Sequence, residues 1–150
     1  MRVVPAFQFI ALVLAALALI PAGAHFFELP NKMALDGQAY LTVQQIYAGW
    51  SLFGIALIGS LAANLALAVA VRRERIACVF ATAAFASMLT VLLLFFAFVY
   101  PMNAATENWT VMPENWEALR MQWEYGHAVN AVLTFVAFVC VSLSVVVGRR

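Results

Sequence analysis

The chain of 150 residues has two histidines, and each has a glutamate three places away: His25 with Glu28, and His127 with Glu124. Residues three apart share one face of a helix. A histidine held by a carboxylate is a general base near neutral pH. Glu-x-x-His from facing helices is also the ligand pattern of di-iron carboxylate bundles. The full pattern takes two further glutamates, and here the second helix offers Gln44 and Gln45 and the third offers none. Two histidines and a carboxylate drawn from His25, Glu28, Glu124 and His127 suffice for a single zinc, copper or iron ion. Two histidines on separate helices can also clamp a haem. A plainer reading makes both couples hydrogen-bonded caps of the bundle, with Lys32 and Arg120 balancing the acids. The reading carried forward is a base that needs no cofactor, with a metal ion or haem as the alternative.

Around these groups the sequence supplies a binding surface. In residues 116–130, WEALRMQWEYGHAVN, the helical repeat puts Trp116, Arg120, Trp123 and His127 on one stripe, with Glu124 and Asn130 beside it. Tyr47, Trp50, Trp123 and Asn103 can hold a flat apolar substrate over the base, with Asn130 nearby. An asparagine or Arg120 can stabilise an oxyanion left by proton removal. Ionisable groups at the mouth of a membrane helix are costly and by default a functional hypothesis.

The elements that must position these residues are membrane spans. The chain is 66% hydrophobic and 10% charged, against about 45–50% and about 25% in soluble domains. The net charge of +1 gives no sign of nucleic-acid binding. Cys78 and Cys140 both lie in apolar runs and read as small hydrophobes. Residues 6–24 follow a lone Arg2 and end in Ala22-Gly23-Ala24, the layout of a signal peptide. At about 19 residues the run also spans a bilayer, and we expect it to be retained. Further spans are expected at about 46–71, 76–100 and 127–147, giving one transmembrane domain over residues 1–150 with outer segments 25–45 and 101–126. The fold class is all-α, an integral membrane four-helix bundle.

Within that frame, Pro30 and Asp36-Gly37 are expected to break regular structure in the first outer segment, and Thr42-x-x-Gln45 reads as a capping box opening a helix over residues 43–71. Asn64 reads as interhelical glue, Pro101 as the end of span three, and Pro113 with Glu114 as the first turn of a helix over 114–147. Arg2, Arg72, Arg73, Arg75, Arg149 and Arg150 fall on one side, and only Lys32 and Arg120 on the other. The positive-inside rule then places both termini in the cytoplasm of a bacterial-type inner membrane. All four Trp and all four Tyr map to the outer half, either as an aromatic belt or as the lining of a cleft. The partners implied are the lipid bilayer, a hydrophobic small molecule, and, if the protein is a non-catalytic accessory or assembly subunit, another membrane protein. The two halves share a plan of span, proline-containing segment, long helix and Arg-Arg.

The four-span layout, GAHFFELPNK at residues 23–32, Pro-Met-Asn at 101–103 and the W-x-x-x-H-x-x-N run at 123–130 resemble the anthrone oxygenase-like membrane proteins. The resemblance covers most of the chain. It implies a small integral membrane protein and, as in a few members, oxidation of anthrones to anthraquinones without a bound cofactor. It points to Asn103, Trp123 and His127. Many members carry Arg where this chain has Asn130.

Overall fold

The computed structural model describes residues 3–148; Arg2, Arg149 and Arg150, which entered the charge reading, lie outside the described residues. All regular structure among them is helical: α1 (Val3–Met33), α2 (Gly37–Gln44), α3 (Phe53–Ala70), α4 (Arg75–Leu94), α5 (Tyr100–Ala105) and α6 (Trp116–Val147). Two 3-10 turns, Gln45–Tyr47 and Trp50–Leu52, link α2 to α3, and a π-helical stretch, Phe95–Val99, joins α4 to α5. Helices α1 and α4 each pack against both α3 and α6, closing a four-membered ring. The first turn of α1 shares a groove with Arg72 and Arg73. Near the end of α6, Ser144 Oγ donates to Ala77 O at the start of α4. These segments form the basic end of the bundle, and the opposite end is aromatic.

Alanine lines the bundle axis. Ala11, Ala15, Ala63, Ala77, Ala81 and Ala84 are buried together with Leu67, Val71 and Val141. Phe9, Ile20, Phe27, Ile55 and Ile58 face outward. This inverts the soluble pattern. Against lipid a large side chain gains nothing by turning inward, so packing is decided by how closely small residues let backbones approach. Four helices, Val3–Met33, Trp50–Ala70, Arg75–Ala105 and Trp116–Val147, are long and apolar enough to cross a membrane.

Several expected element boundaries move. No single helix runs over 43–71. Asp36 caps α2 by accepting from Ala39 N at 2.8 Å, and Thr42 Oγ1 donates back to Gln38 O, so Thr42 lies inside a helix and caps nothing. The chain then breaks at Gly49, whose φ of 84° is a left-handed conformation that suits glycine. Pro101 does not end the third span. Proline lacks an N–H and clashes with the carbonyl four residues back. The π-helical stretch before it widens the backbone, and the helix resumes at Tyr100 with Pro101 in its first turn. The last helix starts at Trp116 rather than 114. Asn64 is not interhelical glue: its amide donates to Ser60 O within its own helix at 2.9 Å.

Helix α1 runs through both Pro21 and Pro30 to Met33. Its unbroken course puts Lys32 on the same helix as His25 and Glu28, at spacings of seven and four that share one face.

Candidate functional site

Helices α1 and α6 meet in antiparallel register at the aromatic end. His25 meets His127, Lys32 meets Glu124, and the last carbonyls of α1 meet Arg120. Lys32 is 3% exposed and Glu124 0%. Their ion pair is 2.9 Å long. Glu124 Oε1 also accepts from Tyr40 at 2.9 Å, and Gln44 in turn donates to the Tyr40 hydroxyl. On its other side, Lys32 donates to Tyr47 at 3.0 Å, and Tyr47 donates to Glu28. The carboxylate of Glu28 lies 3.8 Å from Lys32 and is partly exposed. The result is one continuous polar chain, Gln44–Tyr40–Glu124–Lys32–Tyr47–Glu28. Burial, then the Glu124 carboxylate, pushes the Tyr40 phenol above its ordinary pKa. Burial and the bond to Glu28 do the same for Tyr47. Both stay neutral donors.

One turn deeper lies a box of rings. The imidazoles of His25 and His127 stack with centroids 4.0 Å apart and planes tilted by 26°. Trp123 packs edge-on against both, 4.2 Å from His127 and 5.1 Å from His25. Tyr47 at 4.6 Å and Trp50 at 5.5 Å close the other side of His25. The Lys32 ammonium sits 4.8 Å from the ring centres of both Tyr47 and Trp123. Trp123 is fixed by its indole N–H, which donates to Asn103 Oδ1 at 2.7 Å.

Behind Trp123 stands Trp109, packed on Tyr40 at 5.1 Å. It is delivered by an unusual turn. Glu107, Asn108 and Trp109 all have positive φ, at 48°, 58° and 61°. For residues other than glycine this costs roughly 1–2 kcal/mol each. Thr106 holds the turn: its hydroxyl accepts from Trp109 N at 3.0 Å and donates to Met102 O at 2.8 Å. Burying the Trp109 ring is the compensation.

The structure thus brings together five of the residues singled out from sequence: His25, His127, Trp123, Tyr47 and Trp50, with Asn103 holding Trp123. The carboxylates behave differently from expectation. Among the described residues neither histidine is hydrogen-bonded to its glutamate, because Glu28 is taken by Tyr47 and Glu124 by Lys32 and Tyr40. The metal set His25, Glu28, Glu124 and His127 is not assembled either, since no three His, Cys, Asp or Glu side chains converge among the described residues. Stacked imidazoles at 4.0 Å also leave no gap for a haem.

Arg120 does not face the histidines. It donates to Leu35 O at 2.7 Å and lies over the rings of Trp116 and Tyr40, so it closes the end of α1. Asn130 is buried one turn away on α6, with its side-chain oxygen unpaired among the described residues. The rings fill the space over the histidines, and the open grooves lie elsewhere, beside Phe7 at the basic end and beside Trp109.

Sequence reasoning gave Lys32 only a balancing role, weighed Gln44 only as a stand-in for a metal-binding glutamate, and gave Tyr40 and Trp109 no individual role. The signals were present. Lys32 comes four places after Glu28 once α1 is allowed past Pro30, and Tyr40 and Gln44 are also four apart.

Buried polar atoms without a protein partner among the described residues gather at this end: His25 Nδ1, Glu124 Oε2, Gln44 Oε1, Arg120 Nε and Trp109 Nε1. Each costs about 1–3 kcal/mol if left unpaired. Buried polar groups are ordinarily paired with protein or ordered water, so this concentration sets the aromatic end apart from the rest of the bundle. Compared with protein-family models, with curated proteins and with solved structures, the chain matches none of them.

Proposed function

We propose that this chain is a multi-pass protein of a bacterial-type cytoplasmic membrane, and that its aromatic end, facing outward, is an enzyme site acting on a flat, lipophilic aromatic molecule. The orientation rests on Arg72, Arg73 and Arg75 at the opposite end. The chemistry is that of the anthrone oxygenase-like proteins the sequence resembles: a CH2 group flanked by aromatic rings becomes a carbonyl. A proton passes from the CH2 carbon to an imidazole nitrogen. The electron pair left on carbon reduces dioxygen and forms a C–O bond to a peroxide. The peroxide takes up a proton, and loss of water with the second C–H hydrogen leaves C=O. The balance is CH2 + O2 → C=O + H2O, and no resident cofactor is needed.

The observation that carries this reading is the stacked His25–His127 pair inside a wall of Trp and Tyr, with the Lys32 ammonium on the same two rings. His127 is the less buried of the two imidazoles and is assigned as the base. His25 backs it and, through its stack, limits the ring's rotation. Phe26, Phe27 and Leu52, neighbours in sequence of the wall's residues, are exposed, so a lipophilic substrate would reach it without leaving the bilayer.

A general base of this kind contributes about 10²–10⁴-fold in rate. His127→Ala should therefore lower dioxygen-dependent consumption of anthrone, assayed in membranes or detergent, by at least about 100-fold. The unfolding midpoint should stay close to that of the parent. Undiminished turnover by a folded His127→Ala protein refutes the proposal.

A further inference from the structure

We infer that Lys32 is the residue that binds the substrate's oxygen and stabilises the negative charge that collects there as the proton leaves. The inference rests on the reading of the histidine pair as the base. From sequence that task fell to Arg120 or an asparagine. Arg120 is instead engaged with the carbonyl of Leu35 and with two rings at the end of α1.

An ammonium has three N–H donors. Among the described residues two acceptors lie within reach of Lys32: Glu124 Oε1 at 2.9 Å and Tyr47 Oη at 3.0 Å. Glu28 at 3.8 Å is too far to take a hydrogen bond. One N–H is therefore unspent on a side chain that is 3% exposed.

Its surroundings say where that donor is useful. The ammonium lies 4.8 Å from the ring centres of both Tyr47 and Trp123. The same two rings flank His25, at 4.6 and 5.1 Å. Trp123 also packs on His127, the assigned base, at 4.2 Å, so cation and base lie against the same ring, an arrangement suited to proton removal next to a carbonyl or phenol oxygen. Glu124 and Tyr47 hold the ammonium in place and leave it nothing to reorganise when charge develops. A buried ion pair is weak support for stability, and here the pair delivers a fixed cation to an apolar box. The ligand class is a neutral, flat aromatic ketone or phenol whose oxygen becomes anionic.

The test uses the full chain in nonionic micelles with 2-naphthol, a flat phenol whose neutral and ionised forms differ in fluorescence. The ionisation of protein-bound probe is followed against pH and compared with empty micelles. Protein without probe is run in parallel, because His25 and Glu28 on α1, Tyr40 on α2, Tyr47 in the linker and Glu124 and His127 on α6 all surround the ammonium. Wild-type protein should hold the naphtholate down to a pH at least one unit lower than micelles do, a tenfold preference for the anion. Glu124→Gln leaves the lysine without its counter-ion and should strengthen that preference. Lys32→Met combined with Glu124→Gln, which leaves neither partner's charge alone in the apolar interior, should abolish it.

The opposite signs are diagnostic, since a merely structural lysine would weaken probe binding in both variants alike. Equal losses in the two variants, or a wild-type preference that survives in the double variant, overturn the inference. If His127→Ala removes turnover while Lys32 leaves probe ionisation untouched, the base stands and this inference alone falls. If wild-type protein takes up no more probe than micelles do, the site reading falls and takes the inference with it.

Discussion

Lys32→Met keeps the length of a side chain and removes its charge, and the structure gives the size of the consequence. Glu124 is fully buried, and without the ammonium its one remaining donor among the described residues is Tyr40 at 2.9 Å. Breaking a buried pair from one side costs about 3–5 kcal/mol. Glu124→Leu should cost less, because the ammonium keeps Tyr47 and has Glu28 3.8 Å away. Making Lys32→Met and Glu124→Leu together removes both desolvated charges. Replacing a buried pair by apolar residues is about neutral or even stabilising, so the double variant should unfold within about 1 kcal/mol of the parent or above it. The coupling energy of the cycle is then at least about 3 kcal/mol. Denaturant unfolding in micelles, followed by tryptophan fluorescence, reads this directly, since Trp109 and Trp123 are both packed into the same cluster. If the two single costs simply add in the double variant, Lys32 and Glu124 are not partners in the folded protein. The registry of α1 on α6 is then wrong.

Two further outcomes test the polar chain and its support. Tyr40 has a folded pKa raised above its ordinary value of 10.0 by burial and by Glu124. Its contribution is therefore complete below about pH 10 and is lost as the pH rises above it; Tyr40→Phe should flatten the alkaline decline in the unfolding midpoint between about pH 9 and 11, and an unchanged slope counts against the Tyr40–Glu124 contact. Glu107, exposed at a φ of 48°, should be replaceable by glycine with a gain of roughly 1 kcal/mol, measured as a raised midpoint, whereas a fall would mean that the turn carrying Trp109 is not left-handed.

How far the sequence carried this reading depends on which physical signal was involved. The four spans were legible because a bilayer imposes a minimum apolar length, and every run from residue 6 onward meets it. The gathering of His25, His127, Trp123, Tyr47 and Trp50 was legible because ionisable and amphipathic side chains stand out against so apolar a background. The partners of Glu28 and Glu124 were not. Helical spacing tells which residues share a face, but not which side chain of the opposing helix arrives first. Lys32 sits seven places beyond His25 and reaches Glu124 before either histidine does. Prolines misled twice, at Pro30 and Pro101. A rule that proline ends helices assumes water is available for the freed backbone groups, whereas in an apolar setting the chain gains more by staying helical, at Pro101 with a π-helical stretch before it.

The order of groups along the two helices explains why the site sits at the mouth of the bundle and not in its middle. On α1, passing inward from the aromatic end, Lys32 comes before Glu28 and His25; on α6, Arg120 and Glu124 come before His127. At 1.5 Å per residue, Lys32, Arg120 and Glu124 precede the imidazoles of their own helices by about 5–10 Å. The cost of a full charge rises with depth in a membrane, and an imidazole can be neutral where an ammonium cannot. The deepest functional layer is therefore the one that can exist without charge, and the cation it needs is held just above it by Glu124 and Tyr47. On the proposed reading, a lipophilic molecule arriving from the bilayer would meet the base first and turn its oxygen outward toward Lys32. The aromatic linker from Tyr47 to Trp50 packs on His25, with Gly49 in a left-handed conformation between the two rings and the Tyr47 hydroxyl bonded to Lys32 and Glu28.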